Sequence, residues 1–123
     1  MEPGKKVLII EDEPTLANIC KTHLEREGYS VELAFDGDEG LAKIRSSPPD
    51  VILLDIVMPK RDGVTLLREI RKNSSKRIPV IVLSNLSSQK SMEDAKNAGS
   101  DEYLVKAQHT LDDIVKSVRK FAS

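Results

Sequence analysis

Five short apolar runs, each followed by a segment of helical periodicity, constrain the fold of this chain more than any other feature. Runs of this length that end at turn or charged residues are typical of strands buried in a parallel sheet. Each connection between parallel strands makes a right-handed crossover, which places helices on both faces of the sheet. The predicted strands are Lys6–Ile10, Ser30–Ala34, Val51–Leu54 ending in Asp55, Val80–Leu83 ending in Ser84, and Glu102–Val105 ending in Lys106.

The repeated strand–helix unit predicts the fold class. Its 123 residues fit one domain, so we expect a single unit over residues 1–123. Five such units are typical of an α/β, doubly wound, flavodoxin-like fold, (βα)5, with a five-stranded parallel sheet in the order 2-1-3-4-5. In that order the carboxyl ends of strands one, three, four and five lie beside one crevice.

Apolar residues at three- and four-residue spacing mark the helices. Pro14 suits the first turn of the first helix, and Gly28 suits its end. The fourth helix is predicted from Ser87 to Ala98, with Met92 and Ala95 facing the core. The other marked positions are Leu16, Ile19, Cys20, His23 and Leu24 in the first helix, Leu41 and Ile44 in the second, Val64, Leu66, Leu67, Ile70 and Arg71 in the third, and Leu111, Ile114, Val115, Val118 and Phe121 in the last; Asn73 to Arg77 is predicted to be a surface loop.

The residues at the strand ends suggest a chemical site. The predicted topology brings together Glu11, Asp12, Asp55, Ser84 and Lys106. Three carboxylates in one crevice repel one another unless a cation joins them, and their hard oxygen ligands suit Mg²⁺, with Mn²⁺ as an alternative. A carboxylate such as Asp55 can also attack phosphorus as a nucleophile, while Lys106 and the Ser84 hydroxyl stabilise phosphoryl oxygens.

These residues and their surroundings resemble the receiver domain of response regulators in two-component signalling, of the chemotaxis-regulator type. The matching elements are Glu11-Asp12, Leu54-Asp55-Ile56-Val57-Met58-Pro59 with Asp62-Gly63, Ser84, Ala98-Gly99-Ser100-Asp101-Glu102-Tyr103, and Lys106. The resemblance implies that Asp55 receives a phosphoryl group from the phosphohistidine of a histidine kinase or phosphotransfer protein. It also implies that the Val57 carbonyl completes a metal site with Glu11, Asp12 and Asp55, and that Ser84 and Tyr103 are switch residues.

A phosphoacceptor of this kind assists its own phosphoryl transfer and slow dephosphorylation and is not an enzyme acting on a separate substrate. We expect phosphorylation to draw Ser84 toward the new oxygens and to free space for Tyr103. The downstream protein partner would then bind the face of the fourth helix, fifth strand and fifth helix. That face includes Lys90 to Asn97, Tyr103 and the start of the last helix.

Three residues depart from the pattern of the resembling family. Ala107 stands where the family usually has proline, so a cis peptide after Lys106 is not expected. Val57 and Leu86 occupy positions that are often polar in the family. Because apolar groups there cannot orient a water molecule, we expect slow self-hydrolysis of the phosphorylated aspartate; a phosphoryl lifetime of seconds would contradict this.

Composition excludes several other classes of protein. The chain has 19 basic and 20 acidic side chains, so it shows no excess of positive charge for direct nucleic-acid binding. It has no apolar stretch of membrane-span length and no signal-peptide pattern, so we expect a cytoplasmic protein. Its single cysteine, Cys20, forms no internal disulfide. We interpret Cys20 and His23 as packing or rim residues of the first helix.

Each site residue also has a simpler structural interpretation. The acids from Glu11 to Glu13 favour the positive end of a helix, Ser84 could be a turn or capping residue, Lys106 a solvated charge and Tyr103 a sheet-packing aromatic.

The main functional alternative is a phosphorylation-independent binding module on the same fold. A haloacid-dehalogenase phosphatase is disfavoured because Val57 stands where a second aspartate is expected, and a flavodoxin because Glu11, Asp12 and Glu13 would repel its phosphate. The sequence is compatible both with a stand-alone receiver and with a fragment of a longer regulator.

Overall fold

A five-stranded parallel sheet forms the centre of the protein. The computed structural model describes residues 4–58, 61–73 and 77–122. The sheet strands, labelled β1 to β5 in chain order, lie in the spatial order β2-β1-β3-β4-β5. The predicted topology is therefore confirmed. The strands are β1 Lys6–Ile10, β2 Ser30–Ala34, β3 Val51–Asp55, β4 Val80–Ser84 and β5 Glu102–Val105.

Five helices cover the two faces of the sheet, and the alternation of strand side chains decides which face each residue joins. Leu8 and Ile10 of β1 pack with helices α2, α3 and α4, while Val7 and Ile9 pack with α1 and α5. Every residue of β3 is buried, which explains its unbroken apolar run. The helices are α1 Pro14–Arg26, α2 Gly37–Ser46, α3 Gly63–Asn73, α4 Gln89–Ala98 and α5 Leu111–Ala122.

The ends of α1 agree with the predicted signals. Pro14 is the first helical residue, and the Glu13 carboxylate accepts a hydrogen bond from the Thr15 amide at 3.2 Å. Gly28, with φ of +95°, follows the end of the helix in a left-handed conformation that favours glycine. Glu13 therefore has the capping role that the simpler interpretation of the acidic run predicted.

The inward faces of α1 and α4 differ from the prediction. Leu16 and Ile19 are 49% and 47% exposed, because the buried stripe of α1 is formed by Ala17, Cys20 and Leu24. In α4 the core contacts come from Ala95 and Ala98, so Met92 lies outside the core rather than facing it. Helix α4 also begins two residues later than predicted, with Ser88 as its N-cap.

Two short elements were not predicted. Val57–Met58 and Arg61–Asp62 form a two-residue antiparallel ladder after β3. Residues Lys106–Gln108 form a turn of 3₁₀ helix after β5. Peptide bonds throughout the described ranges are trans, including the bond between Lys106 and Ala107, as the alanine led us to expect.

Some predicted features fall outside the described residues. These are Pro59 and Lys60 in the loop after β3 and residues 74–76 of the predicted surface loop after α3. Among the described helices, none has the length and apolar character that a membrane span requires.

Candidate functional site at the carboxyl edge of the sheet

Three carboxylates meet where β1 and β3 end. The two strands are neighbours, with Ile10 paired to Leu54, so the residues that follow them emerge side by side. Glu11, Asp12 and Asp55 each place one carboxylate oxygen within 4.8 Å of the others. Glu11 and Asp55 are only 5% and 7% exposed. The structure therefore brings together the three acidic side chains that the sequence analysis singled out.

The Asp55 carboxylate is held through both of its oxygens. Its Oδ1 accepts a hydrogen bond from the Val57 amide at 2.9 Å, and its Oδ2 lies 3.2 Å from Lys106 Nζ. The same ammonium group lies 3.5 Å from Glu11 Oε1. Lys106 thus lies against two acids, and its predicted place at the end of β5 is confirmed by these contacts.

Glu11 is the most electrostatically perturbed member of this group. Burial, followed by the neighbouring Asp55 carboxylate, raises its pKa to about 8, although Lys106 acts in the opposite direction. Its Oε2 atom is buried and has no hydrogen-bond partner. For Lys106, burial lowers the pKa, but the charges of Asp55 and Glu11 outweigh burial and the pKa is raised. One lysine therefore leaves the acidic group short of positive charge.

The orphaned Glu11 oxygen and the crowded carboxylates fit a hard divalent cation. Buried polar atoms without partners are rare in folded proteins, and several oxygen ligands close together are what Mg²⁺ requires. Glu11, Asp12 and Asp55 together offer three carboxylate oxygens of this kind. The donor set is thus compatible with the metal that the sequence led us to expect.

Ser84 and Tyr103 are linked indirectly, because the hydroxyl group of each forms a hydrogen bond with the backbone of Leu86. Ser84 is fully buried at the end of β4, and its Oγ accepts a hydrogen bond from the Leu86 amide at 3.0 Å. The half-buried Tyr103 donates its hydroxyl to the Leu86 carbonyl at 2.7 Å. The two hydroxyl groups therefore bind the amide and the carbonyl of the same residue. Sequence patterns gave no sign of this link, because it is made by backbone atoms.

A mainly apolar cavity of about 200 Å³ lies between α1 and α5 and reaches Glu11, Asp55 and Lys106. Cys20 lines it, and burial followed by the charge of Glu11 raises the pKa of this thiol to about 11. At the rim of α1, His23 Nε2 lies 3.0 Å from Asp112 Oδ1 of α5. These contacts agree with a packing role for Cys20 and a rim position for His23.

Comparisons with known proteins identify the family. The sequence profile of the response regulator receiver domain matches residues 7–119. A probable transcriptional regulator, ycf27, of Guillardia theta is 41% identical over 106 residues, which are 86% of this chain and 41% of the relative. The chain therefore spans about two fifths of that relative's length.

Solved structures give the same result. The receiver domain of the Francisella response regulator 1452 is 36% identical, with a TM-score of 0.89 and 97% of each chain covered. The chemotaxis protein CheY4 of Vibrio cholerae is 28% identical, with a TM-score of 0.88, and the match covers 96% of this chain and 98% of that one. The profile match over nearly the whole chain and the matching fold show that this protein belongs to the response regulator receiver domain family of two-component signalling.

Proposed function

We propose that Asp55 is the phosphoacceptor of a signalling switch and that its phosphohistidine donor is a histidine kinase or phosphotransfer protein. The observation that carries this proposal is the position of Asp55, buried at the edge of the crevice with one oxygen beside Lys106 and with Glu11 and Asp12 within reach. Buried carboxylates in such a cluster need a cationic partner, which a divalent metal ion would supply. The same ion would stabilise the oxygens of an incoming phosphoryl group.

In the proposed reaction an Asp55 carboxylate oxygen attacks the phosphorus of the phosphohistidine. The new oxygen–phosphorus bond forms as the nitrogen–phosphorus bond breaks, and the bonding electron pair returns to the imidazole nitrogen. Lys106 Nζ, which lies 3.2 Å from Asp55 Oδ2, balances negative charge on the phosphoryl oxygens. The Val57 amide fixes the other Asp55 oxygen and thereby orients the carboxylate.

Glu11, Asp12, Asp55 and the Val57 carbonyl would hold Mg²⁺, with Mn²⁺ as a substitute. When bound, the ion neutralises carboxylate charge and stabilises the phosphoryl oxygens. The partnerless Glu11 Oε2 and the raised pKa of Glu11 support this assignment, because a divalent cation would favour the ionised form of that side chain.

The signal would pass from Ser84 to Leu86 and then to Tyr103. Once phosphoryl oxygens are available, the Ser84 hydroxyl donates to one of them and reorients away from the Leu86 amide. The segment around Leu86, which also binds the Tyr103 hydroxyl, then changes position. The affected face is formed by α4, β5 and α5, where the downstream protein partner would bind. A coupling of about 1–3 kcal/mol is sufficient for a useful change in affinity.

The phosphodonor protein would dock beside the acidic crevice on α1. Leu16 and Ile19 are large apolar side chains left exposed there, next to the apolar cavity between α1 and α5. Exposed apolar groups beside a reactive site are typical of a protein contact surface. On this proposal, Ile19→Asp slows transfer from a phosphorylated phosphotransfer protein but does not alter labelling by acetyl phosphate.

Intact-mass analysis after incubation with acetyl phosphate and Mg²⁺ tests the phosphoacceptor. We expect one phosphoryl adduct in the parent protein and none in Asp55→Asn or in EDTA. Asp50→Asn is the matched control, because Asp50 precedes the same strand at its amino end, where it accepts a hydrogen bond from the Lys6 amide, far from the crevice. An adduct that persists in Asp55→Asn would contradict the assignment. The absence of an adduct from the parent, with no response to beryllofluoride, would favour a phosphorylation-independent binding module.

A further inference from the structure

The two ends of α4 are attached to the protein in very different ways. Its amino end follows residues 85–88, which are exposed, and among the described residues the hydrogen bonds from this segment to β4 and β5 are the two that involve Leu86. Its carboxyl end is closed by Gly99 and held by a charged cluster around Arg71 and Asp101. Any displacement that begins at Ser84 therefore enters the helix at its loosely held end.

Arg71, near the end of α3, forms the centre of that cluster. Its Nε and Nη2 atoms donate to the Gly99 carbonyl at 3.0 and 2.6 Å, and Nη1 donates to the Ile78 carbonyl. Nη2 also lies 2.9 Å from Asp101 Oδ2. One planar guanidinium thus ties the end of α3 to the segment before β4 and to the turn after α4. A lysine ammonium lacks the planar fork needed for these directions.

Asp101 completes the attachment. Its Oδ2 accepts from the Val80 amide at 2.8 Å, and its own amide donates to the Val80 carbonyl at 2.8 Å. Gly99 has φ of +111°, and an added Cβ would lie 2.9 Å from Arg71 Nε. The turn therefore needs glycine both for its backbone conformation and for the close approach of the arginine.

We propose that Arg71 is a positioning residue that fixes the pivot of the switch, so that phosphorylation tilts α4 about Gly99 instead of translating the whole helix. This inference rests on the proposed phosphoacceptor function. Helix α4 has 10 residues and is therefore about 15 Å long, at about 1.5 Å per residue. A fixed carboxyl end restricts the largest movement to Leu86, Ser88 and the first turn of α4.

The consequence concerns the partner surface. Residues at the start of α4 change position with phosphorylation, whereas Lys96, Asn97 and the turn to β5 remain in place. A partner that discriminates between the two states must therefore contact the first turn of α4, the segment before it, or Tyr103, which binds that segment. Without the Arg71 contacts, a displacement that begins at Ser84 would shift the whole of α4. The change at its first turn, and with it the difference that a partner can detect, would be smaller.

Backbone amide chemical shifts, recorded with Mg²⁺ before and after beryllofluoride is added, test the pivot. In the parent we expect large changes near Asp55 and at Leu86–Ser88, with changes several-fold smaller at Gly99–Asp101. In Arg71→Ala, and also in Arg71→Lys, the changes at Gly99–Asp101 should become comparable to those at Leu86–Ser88. Arg77→Ala is the matched control, because it removes only the exposed ion pair between Arg77 and Asp101 and should retain the parent pattern.

The outcomes separate the pivot from the phosphoacceptor. No change near Asp55 in the parent would contradict the proposed function itself. A response near Asp55 with equally large changes at both ends of α4 in the parent would overturn the pivot alone. The pivot would also be overturned if Arg71→Lys, confirmed as folded by its thermal melt, shows the parent pattern of chemical-shift changes, large at Leu86–Ser88 and small at Gly99–Asp101.

Discussion

Acidic side chains lie at both ends of the parallel strands, but they differ in how many hydrogen-bond donors surround them. At the amino edge of β4, Asp101 receives hydrogen bonds from Arg71, Arg77 and the Val80 amide. At the carboxyl edge, Glu11 and Asp55 share the single ammonium of Lys106, and Glu11 Oε2 has no partner. Asp101 is therefore saturated with donors, whereas Glu11 is short of them.

This difference indicates how stability and function are divided in the domain. A carboxylate with several donors and opposite charges stabilises the folded state, because removing it leaves those donors unpaired. Carboxylates that repel one another destabilise the folded state until a cation or ligand arrives. The shortage of donors at Glu11 therefore marks the place where binding energy remains available, and the saturated cluster around Asp101 provides a rigid frame.

The largest effect should come from removing the saturated carboxylate. We expect Asp101→Ala to lower the free energy of unfolding by about 2–4 kcal/mol, because the Val80 amide loses its side-chain acceptor and Arg71 loses the carboxylate that balances its charge. Urea denaturation measures this loss. Asp94→Ala, which removes an exposed pair with Lys90 on α4, should change stability far less than Asp101→Ala. Equal effects of the two substitutions would remove the contrast between a saturated cluster and a surface pair.

The pH dependence of stability sharpens the comparison at the other edge. The pKa of Glu11 is about 8 in the folded protein against 4.5 as its ordinary value, so the folded state holds an extra proton between these pH values. In EDTA, the contribution of Glu11 to the free energy of unfolding is fully present below pH 4.5. It is lost as the pH rises toward 8, by about 1 kcal/mol per pH unit.

The measurement is the difference in unfolding free energy between the parent and Glu11→Gln at several pH values. We expect that difference to decline as the pH rises from 6 toward 8. A difference that is constant with pH, or that grows in favour of the parent, would contradict the raised pKa of Glu11.

Two apolar side chains beside the charged site, Val57 and Leu86, should slow hydrolysis of an Asp55 phosphoryl group. Val57 and Leu86 are both exposed near the site and offer no group that can orient water. We expect Leu86→Gln to shorten the lifetime of the aspartyl phosphate by about tenfold, since a polar side chain can position the attacking water. Decay of the adduct by intact mass gives the rate. Met92→Gln, on an exposed apolar residue of α4, should leave it unchanged, and a parent lifetime of seconds would refute slow hydrolysis.

The smallest expected effect is a gain in stability. Asp55→Asn removes one of the mutually repelling charges but retains a side-chain oxygen for the Val57 amide. In EDTA we expect it to raise the free energy of unfolding by about 0.5–1 kcal/mol, as measured by urea denaturation. A clear loss of stability would mean that the ion pair with Lys106 outweighs the repulsion from Glu11 and Asp12.

Much of the fold was predictable because local sequence signals and the sheet topology agree. The apolar runs of β1 and β3 required burial on both faces, and Pro14 and Gly28 marked the limits of α1. The inward faces of amphipathic helices were less predictable. Leu16, Ile19 and Met92 satisfy helical spacing yet remain exposed, because smaller neighbours such as Ala17 and Ala95 occupy the buried side of each helix. Spacing locates a stripe only to within about one residue per turn.

The acidic group was predictable for a different reason. Parallel strands place their carboxyl ends at one edge, so the order of the strands determines which of these residues meet. The Ser84–Leu86–Tyr103 link and the Arg71 cluster were not predicted. Both depend on carbonyl and amide groups of the backbone, such as those of Leu86 and Gly99, which every residue carries and no sequence pattern distinguishes.

The sequence by itself determined the strand–helix alternation, the parallel sheet and the set of residues delivered to its carboxyl edge. These follow from apolar periodicity and turn chemistry, which act over a few residues. Only the tertiary structure decided that Asp101 would be saturated while Glu11 would keep a partnerless oxygen. The number of donors around a carboxylate depends on side chains and backbone groups from distant parts of the chain, and their positions are fixed only when the elements pack together.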